Sequence, residues 1–289
     1  MSTRHGLRSA WYELISNFPT PIRRNLRMVT GISAGYLGSI ATRRTASVPP
    51  LRIRIRSGYG NWTRVGREFR DIFVELGGLQ PRDHVLEIGC GFGRIAGALA
   101  VYLSPEGSYE GIDIIPEAID WCQTKIGRER PNFRFRVLDV RNEVYNPNGA
   151  ASPEDLILPF PSDSFDFVCL TSVFTHMLPA AVQHYLHEVS RVLRTDGHCV
   201  ITYFLLDDHS STLQDSGKGE ISFSNNHGTY RVENDAQPER AVAYDLRFIQ
   251  DLYRRNDLRI AEPIRWGSWS GRRPFLSVQD VVVAEKVGA

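Results

Sequence analysis

The stretch VLEIGCGFGR, Val85 to Arg94, sets one glutamate, Glu87, ahead of Gly89, Gly91 and Gly93, with Cys90 between the first two glycines. So many glycines in so short a run cost backbone entropy, unless something must approach the backbone closely. A bound ligand therefore explains the run better than a bare strand-to-helix turn does. The dinucleotide fingerprint G-x-G-x-x-G, with Ala tolerated at its end, does not use every glycine. Starting at Gly89 it requires a small residue where Arg94 stands; starting at Gly91 it ends acceptably on Ala96 but leaves Gly89 unexplained. The spacing that uses all of them is G-x-G-x-G. A P-loop is excluded because no Gly-Lys-Ser/Thr follows.

Acids at the ends of later strand-like runs extend the pattern. Asp113 closes YEGIDI about twenty residues beyond the glycines, where a carboxylate can accept both hydroxyls of a ribose. Asp139 closes RVLDV in the same way. His176, in SVFTHML, follows a further strand-like run, and an imidazole there can take a proton from a hydroxyl. The plainer alternative is a histidine bonded to loop backbone. His184 and His187 invite a metal reading, but they lie opposite the apolar stripe of their helix and have no evident third ligand. No metal site is expected.

The elements that must position these residues alternate from about 61 to 205. TRVGREFRDIFVELGG sets Val65, Phe69, Ile72, Phe73 and Leu76 on one helical face and ends at Gly77-Gly78. HVLEIG is a short buried strand, and RIAGALAVYL aligns Ile95, Leu99, Tyr102 and Leu103 on a helical stripe. SYEGIDI, FRFRVLDV, FDFVCLTS and HCVITYFL read as further strands. Pro116 suits the first turn of the helix carrying Ile119, Cys122 and Ile126, and PAAVQHYLHEVSRVL aligns Val182, Leu186, Val189 and Leu193. Strand and helix in alternation predict an α/β fold, a parallel sheet covered on both faces. Its carboxyl edge would gather the glycine turn and both acids, where open α/β sheets bind ligands.

Bulk composition adds exclusions. The chain has 289 residues with 34 basic and 33 acidic side chains, so its overall charge gives no nucleic-acid signal. The distribution is uneven: up to Arg56 the chain has many arginines against a lone acid, Glu13. Cys90, Cys122, Cys169 and Cys199 are widely spaced and form no CxxC pair, the pattern of reduced thiols in a cytoplasmic protein. Met28 to Thr42 is uncharged but too short and too rich in Gly and Ser to span a bilayer.

ExGCGxGR, the strand-end Asp113, LDV, LPFPSDSFDFVCLTSVFTHML and RVLRTDGH, in that order, resemble a class I S-adenosylmethionine-dependent methyltransferase. The likeness spans about 80 to 205 and is greatest to the bacterial type 11 group. It implies a Rossmann-like seven-stranded sheet, mostly parallel with an antiparallel last strand, and S-adenosyl-L-methionine as cofactor. It further implies that Glu87 and the Gly89–Gly93 backbone, Cys90 included, hold the methionine part. Asp113 and its neighbour Ile114 would serve the ribose, Asp139 and Val140 the adenine, and Thr171 with Ser172 would close the site beside the methyl group. RTDG replaces the group's usual Lys/Arg-Pro-Gly-Gly, a change expected to alter a turn and not cofactor binding.

The acceptor is narrowed by absences. LTSV stands where amine methyltransferases of DNA carry Asn/Asp-Pro-Pro-Tyr, no Pro-Cys nucleophile is present, and the double-Glu loop of arginine methyltransferases is missing. His176 is the expected general base and Phe174 an expected pocket wall. Trp266, Trp269 and Arg272 in RWGSWSGRRPFLSVQD would meet the acceptor, since indoles stack on sugars and Arg binds anions. SVFTHML, GSWSGR and QDVVV resemble methyltransferases that accompany surface-polysaccharide genes, which implies O-methylation of a sugar or glycolipid hydroxyl. The alternatives are a natural-product O- or N-methyltransferase and a non-catalytic binding subunit. Two regions are expected around the core of the methyltransferase domain (61–289): a basic extension over 1–60 touching a membrane surface, and a lid within 206–245.

Overall fold

The computed structural model describes residues 48–50, 53 and 61–288. The membrane contact expected of 1–60 thus falls almost wholly outside the described residues. Helix α1 (Trp62–Glu75) starts on Asn61, whose side chain accepts from the Arg64 N–H. Its Gly66 lies against the glycine turn: a Cβ there would stand 2.4 Å from the Arg94 carbonyl oxygen. Strands β1 (His84–Ile88), β2 (Ser108–Asp113), β3 (Phe133–Val137), β4 (Phe165–Leu170), β5 (Leu193–Tyr203), β10 (Leu258–Ile260) and β11 (Asp280–Lys286) form one sheet ordered β10-β11-β5-β4-β1-β2-β3. β1 to β5 pair in parallel, and β11 runs antiparallel to both β5 and β10. The sheet and its antiparallel final strand are those expected.

Period-two alternation divides the core. Phe167 and Cys169 of β4 face the layer containing Ile72 and Phe73, whereas Val168 and Leu170 face the layer containing Val182, Leu186 and Val189 of α4 (Pro179–Val192). Between them α2 (Ala96–Leu99) and α3 (Pro116–Cys122) follow β1 and β2. Pro116 opens α3 as expected. The stripe Ile95/Leu99/Leu103 is buried, but the regular helix is only Ala96–Leu99. Gly97 weakens it, and i→i−3 bonds such as Tyr102 N–H to Leu99 O tighten the ends. At RTDG, Asp196 adopts φ 61°, the left-handed backbone that glycine takes more easily.

Beyond β5 the chain makes a second, small sheet. Its strands β6 (Leu205–Leu206), β7 (Asn225–Asn226), β8 (Tyr230–Val232) and β9 (Val242–Asp245) are ordered β6-β9-β8-β7, with α5 (Asp208–Asp215) after β6 and α6 (Leu246–Arg255) after β9. The β7–β8 hairpin turns at Gly228, whose φ is 83°.

Asp280, buried at the start of β11, joins this part to the main sheet. It accepts from Leu205 N (2.7 Å), Gly267 N (2.6 Å) and Trp269 Nε1 (2.7 Å). Each donor would be left unpaired in a dry environment without it. Asp280→Ala is expected to lower the unfolding free energy by about 2–4 kcal/mol, measured in urea. A loss near zero would show that water replaces the carboxylate at no cost.

Candidate functional site

The chain runs outward from β1 through β2 to β3 and then returns to the other side of β1 at β4. Such a switch point opens a crevice between the carboxyl ends of β1 and β4. A cavity of about 1840 Å³ lies there, lined by the glycine turn, Asp113, the Thr171–Val173 segment and His176, with α1 and residues 273–279 as further walls. Small-ligand pockets are usually about 300–1,000 Å³, so the volume suits two ligands side by side.

Gly89, Gly91 and Gly93 have φ of 78°, 50° and 76°, all left-handed. Their roles differ. A Cβ at Gly91 would meet nothing within 4 Å, so the apex of the turn borders open space. At Gly89 it would come within 2.4 Å of Val173 Cγ2, and at Gly93 within 2.5 Å of Ile126 Cδ1. Gly93 does not line the cavity; it lets the turn pack on the helix after β2. Asp113 fixes the turn by accepting Gly91 N–H (2.7 Å) and Ile115 N–H (2.9 Å). Burial raises its carboxyl above the ordinary range. Glu87 accepts from the Tyr109 hydroxyl at 2.5 Å, and burial pushes it up to about 8. Burial also raises the Cys90 thiol well above its usual value, which removes it as a nucleophile.

Glu87, Gly89, Cys90, Gly91, Asp113, Ile114, Val140 and Thr171 all border the cavity. Asp139 does not. β3 ends at Val137, Leu138 N–H bonds to Asp113 O, and the Asp139 side chain is exposed, bonded by Asn146 Nδ2 at 3.4 Å.

On the acceptor side, His176 Nδ1 lies 3.1 Å from the Glu239 carbonyl. A carbonyl only accepts, so Nδ1 carries the hydrogen and Nε2 keeps its lone pair. Burial lowers the pKa of the imidazole, which favours that neutral form. The His176 carbonyl accepts from Asn142 Nδ2 (3.1 Å), and Tyr145 meets the ring edge-on with centroids 5.3 Å apart.

Other expected contacts are corrected. Phe174 is fully buried between Tyr185 and Tyr203 and does not reach the cavity. Trp269 is fully buried with Phe204 and Phe223. Arg272 is bonded to both oxygens of Asp207 (2.5 and 2.7 Å) and stacks on Trp266 at 3.9 Å, so this cluster ties loops together and does not line the cavity. From 206–245, Glu239 alone reaches the lining. His184 is half-buried, with Nε2 2.5 Å from Leu156 O, so it is not on a solvated face. Among the described residues, no group of three His, Cys, Asp or Glu side chains could hold a metal ion.

Sequence reading missed Asn142, Tyr145, Glu239 and Gln279. Gln279 Oε1 accepts from Ser172 (3.0 Å) and Thr202 (2.7 Å) hydroxyls, and its side chain borders the cavity. The motif NEVYNP after LDV was the available signal for Asn142 and Tyr145. Glu239 and Gln279 had none, being brought in by chain folding from 63 and 103 residues beyond His176 (239 − 176 and 279 − 176).

Residues 86–201 match the family described as "Methyltransferase domain", type 11. A curated relative, the demethylmenaquinone methyltransferase of Symbiobacterium thermophilum, is 28% identical over 151 residues, which are 49% of this chain and 49% of that protein. The chain thus matches about half the length of that relative. Among solved structures, a methyltransferase dependent on S-adenosylmethionine (SAM) from Aquifex aeolicus is 14% identical, covering 83% of this chain and all of that one, with a TM-score of 0.50. Another, from Methanosarcina mazei, is 21% identical over 75% of this chain and 98% of that one, with a TM-score of 0.48. At such identity the first of these likenesses is one of fold.

The lining fits the implied cofactor, S-adenosylmethionine. Two carboxyls, Glu87 and Asp113, flank an open glycine apex. Its sulfonium and ammonium charges favour ionised Glu87. A group held near 8 should therefore lose its proton on binding. Between about pH 6 and 7.5, below the range where an α-amino group titrates, affinity should rise with pH by up to tenfold per unit. Calorimetry in buffers of different protonation enthalpy should report release of up to one proton, and Glu87→Gln should remove it. Buffer-independent heats from the parent protein would refute this role for Glu87.

Proposed function

We propose that the chain, whose residues 86–201 match the type 11 methyltransferase domain family, O-methylates a sugar or glycolipid hydroxyl from S-adenosylmethionine, with His176 as general base. The observation that carries this reading is the imidazole itself. Its Nδ1 is committed to a carbonyl, and its ring borders the same cavity as Gly91 and Asp113.

Bound S-adenosylmethionine supplies an electrophilic methyl group on a sulfonium. The chain's own residues supply position and a proton acceptor. Glu87 and the Gly89–Gly91 backbone hold the amino-acid end of the donor, and Asp113 still has a free lone pair on each oxygen for hydroxyls. Thr171 and Val173 crowd the carboxyl end of β4, so an acceptor is confined against the donor. Orientation and exclusion of water from such a site contribute about 7–11 kcal/mol of barrier reduction in favourable cases. His176 Nε2 would take the hydroxyl proton as the oxygen bonds to the methyl carbon and the carbon–sulfur bond breaks, its electron pair leaving on a neutral thioether. The Glu239 carbonyl keeps the ring turned for that transfer, while Asn142 holds the His176 main chain. Proton transfer of this kind contributes roughly 10²–10⁴-fold.

Two measurements test the proposal. Calorimetry with S-adenosylmethionine should show binding by the parent protein and at least about tenfold weaker binding by Asp113→Ala, equivalent to loss of about one charge-assisted hydrogen bond. Transfer of labelled methyl groups to bacterial envelope lipids and glycan precursors should reveal an alkali-stable methyl ether. His176→Gln should lower its rate by about 10²-fold or more while leaving cofactor affinity unchanged. Full turnover by His176→Gln would remove the base; no cofactor binding by the parent would remove the methyltransferase reading.

A further inference from the structure

The walls of the cavity hold an unusual share of the exposed apolar surface. Among the described residues, the large apolar side chains left exposed are Val101, Val137 and Ile157, which lie elsewhere, and Val144, Tyr145, Phe275, Leu276 and Val278, which all line this cavity. Scattered exposed apolar residues need no explanation, but a cluster around one opening does. Phe275, Leu276 and Val278 stand 38%, 47% and 48% exposed on one loop. In the same lining α1 contributes Val65 and Phe69, with Leu76 just past its end, and the fold covers all three only in part although they lie on one apolar face. A helical stripe that should bury itself in the core is thus left half-covered where it meets the cavity.

Polar groups share these walls, with Glu68, Asp71 and Glu75 on α1 and Arg273 and Ser277 on the loop. His176, Asn142 and Gln279 gather around the carboxyl end of β4. Apart from Glu87, which burial holds near 8 and so mostly neutral at pH 7, the charged side chains of the lining are Glu68, Asp71, Glu75, Asp113 and Glu239 against Arg94, Arg141 and Arg273. An acidic lining disfavours a phosphate-bearing acceptor by like-charge repulsion. It does not oppose a neutral one. The volume beyond that of an ordinary ligand pocket provides room for more than a cofactor and a small head.

We propose that the acceptor is a neutral-headed amphiphile, whose hydroxylated head sits at His176 and whose apolar chain lies between α1 and the Phe275–Val278 loop. This rests on the methyltransferase reading, since it places the occupant beside the cofactor. It goes further by choosing a chain-bearing acceptor over a free sugar, a nucleotide sugar or a lipid phosphate.

The test uses the full chain and a readout other than turnover. N-phenyl-1-naphthylamine, a neutral apolar fluorophore, should brighten on binding. Dodecyl maltoside, below its micellar concentration, should displace it; maltose should not, and dodecyl phosphate should compete less well. Phe275→Ser combined with Leu276→Ser should weaken fluorophore binding by about tenfold or more, as expected from the loss of buried apolar surface. Both positions are exposed, so the thermal midpoint and the calorimetric affinity for S-adenosylmethionine should stay unchanged. Competition by maltose equal to that of dodecyl maltoside would overturn the chain-binding site. So would fluorophore binding that is absent or indifferent to the double substitution. Tighter binding of dodecyl phosphate would overturn the neutral head. Failure of the parent to bind S-adenosylmethionine would instead strike the methyltransferase reading, and that separate measurement distinguishes the two.

Discussion

The carboxylate of Asp113 holds the site together. Its two oxygens reach the N–H groups of Gly91 and Ile115, while the Gly89 and Cys90 N–H groups bond to the neighbouring Ile112 carbonyl. The end of β2 thereby fixes the turn that leaves β1. A turn built on left-handed glycines has a large entropic freedom to lose, and an ordinary strand end would not confine it. A buried carboxylate with two backbone donors does. Because Asp113 also borders the cavity, one side chain both shapes the turn and lines the open space beside it.

What surrounds that interaction follows from packing. Gly66 lets α1 approach the Arg94 carbonyl, Gly89 lets Val173 approach the turn, and Gly93 admits Ile126 and Cys122. The cavity is therefore the gap remaining after three close approaches, with its apex at Gly91. The glycines that seemed in the sequence to share a single role divide into Gly91 at the open apex, Gly89, which borders the cavity and also makes room for Val173, and Gly93, which only makes room for neighbours.

This division marks how much of the site was legible in the chain. Glu87, Gly89, Gly91 and Asp113 were legible because strand-end position and spacing dictate where the backbone turns. The parallel sheet was legible because apolar helices follow β1, β2 and β4, and the antiparallel end came with the resemblance. Asp139 misled, since β3 stops at Val137 and the reading that it closes a strand no longer fixes its direction. Trp269 and Phe174 misled for another reason: composition says that aromatic rings suit a pocket, but burial decides whether they reach one, and both are enclosed by other rings. Gln279 carried no local pattern. Its amide oxygen is set by hydroxyls at 172 and 202, on strand ends that only the sheet order brings near β11.

The two halves of the cavity therefore obey different constraints. The cofactor half is fixed by backbone: left-handed glycines, N–H groups and a carboxylate bound to them, where almost any substitution disturbs the turn itself. The acceptor half is assembled from side chains on separate loops, Asn142 and Tyr145 after β3, Glu239 before β9, and residues 273–279 before β11. Those loops are anchored away from the cavity: Asp280 fastens one end of the last loop, and Arg272 on Asp207 fastens the other. With the anchors outside and the apolar side chains of Phe275, Leu276 and Val278 exposed, the lining can change without loss of core packing. On the proposed reading, an acceptor would be chosen by the residues that the fold needs least, and the glycine motif, which lies in the backbone half, carries no information about them.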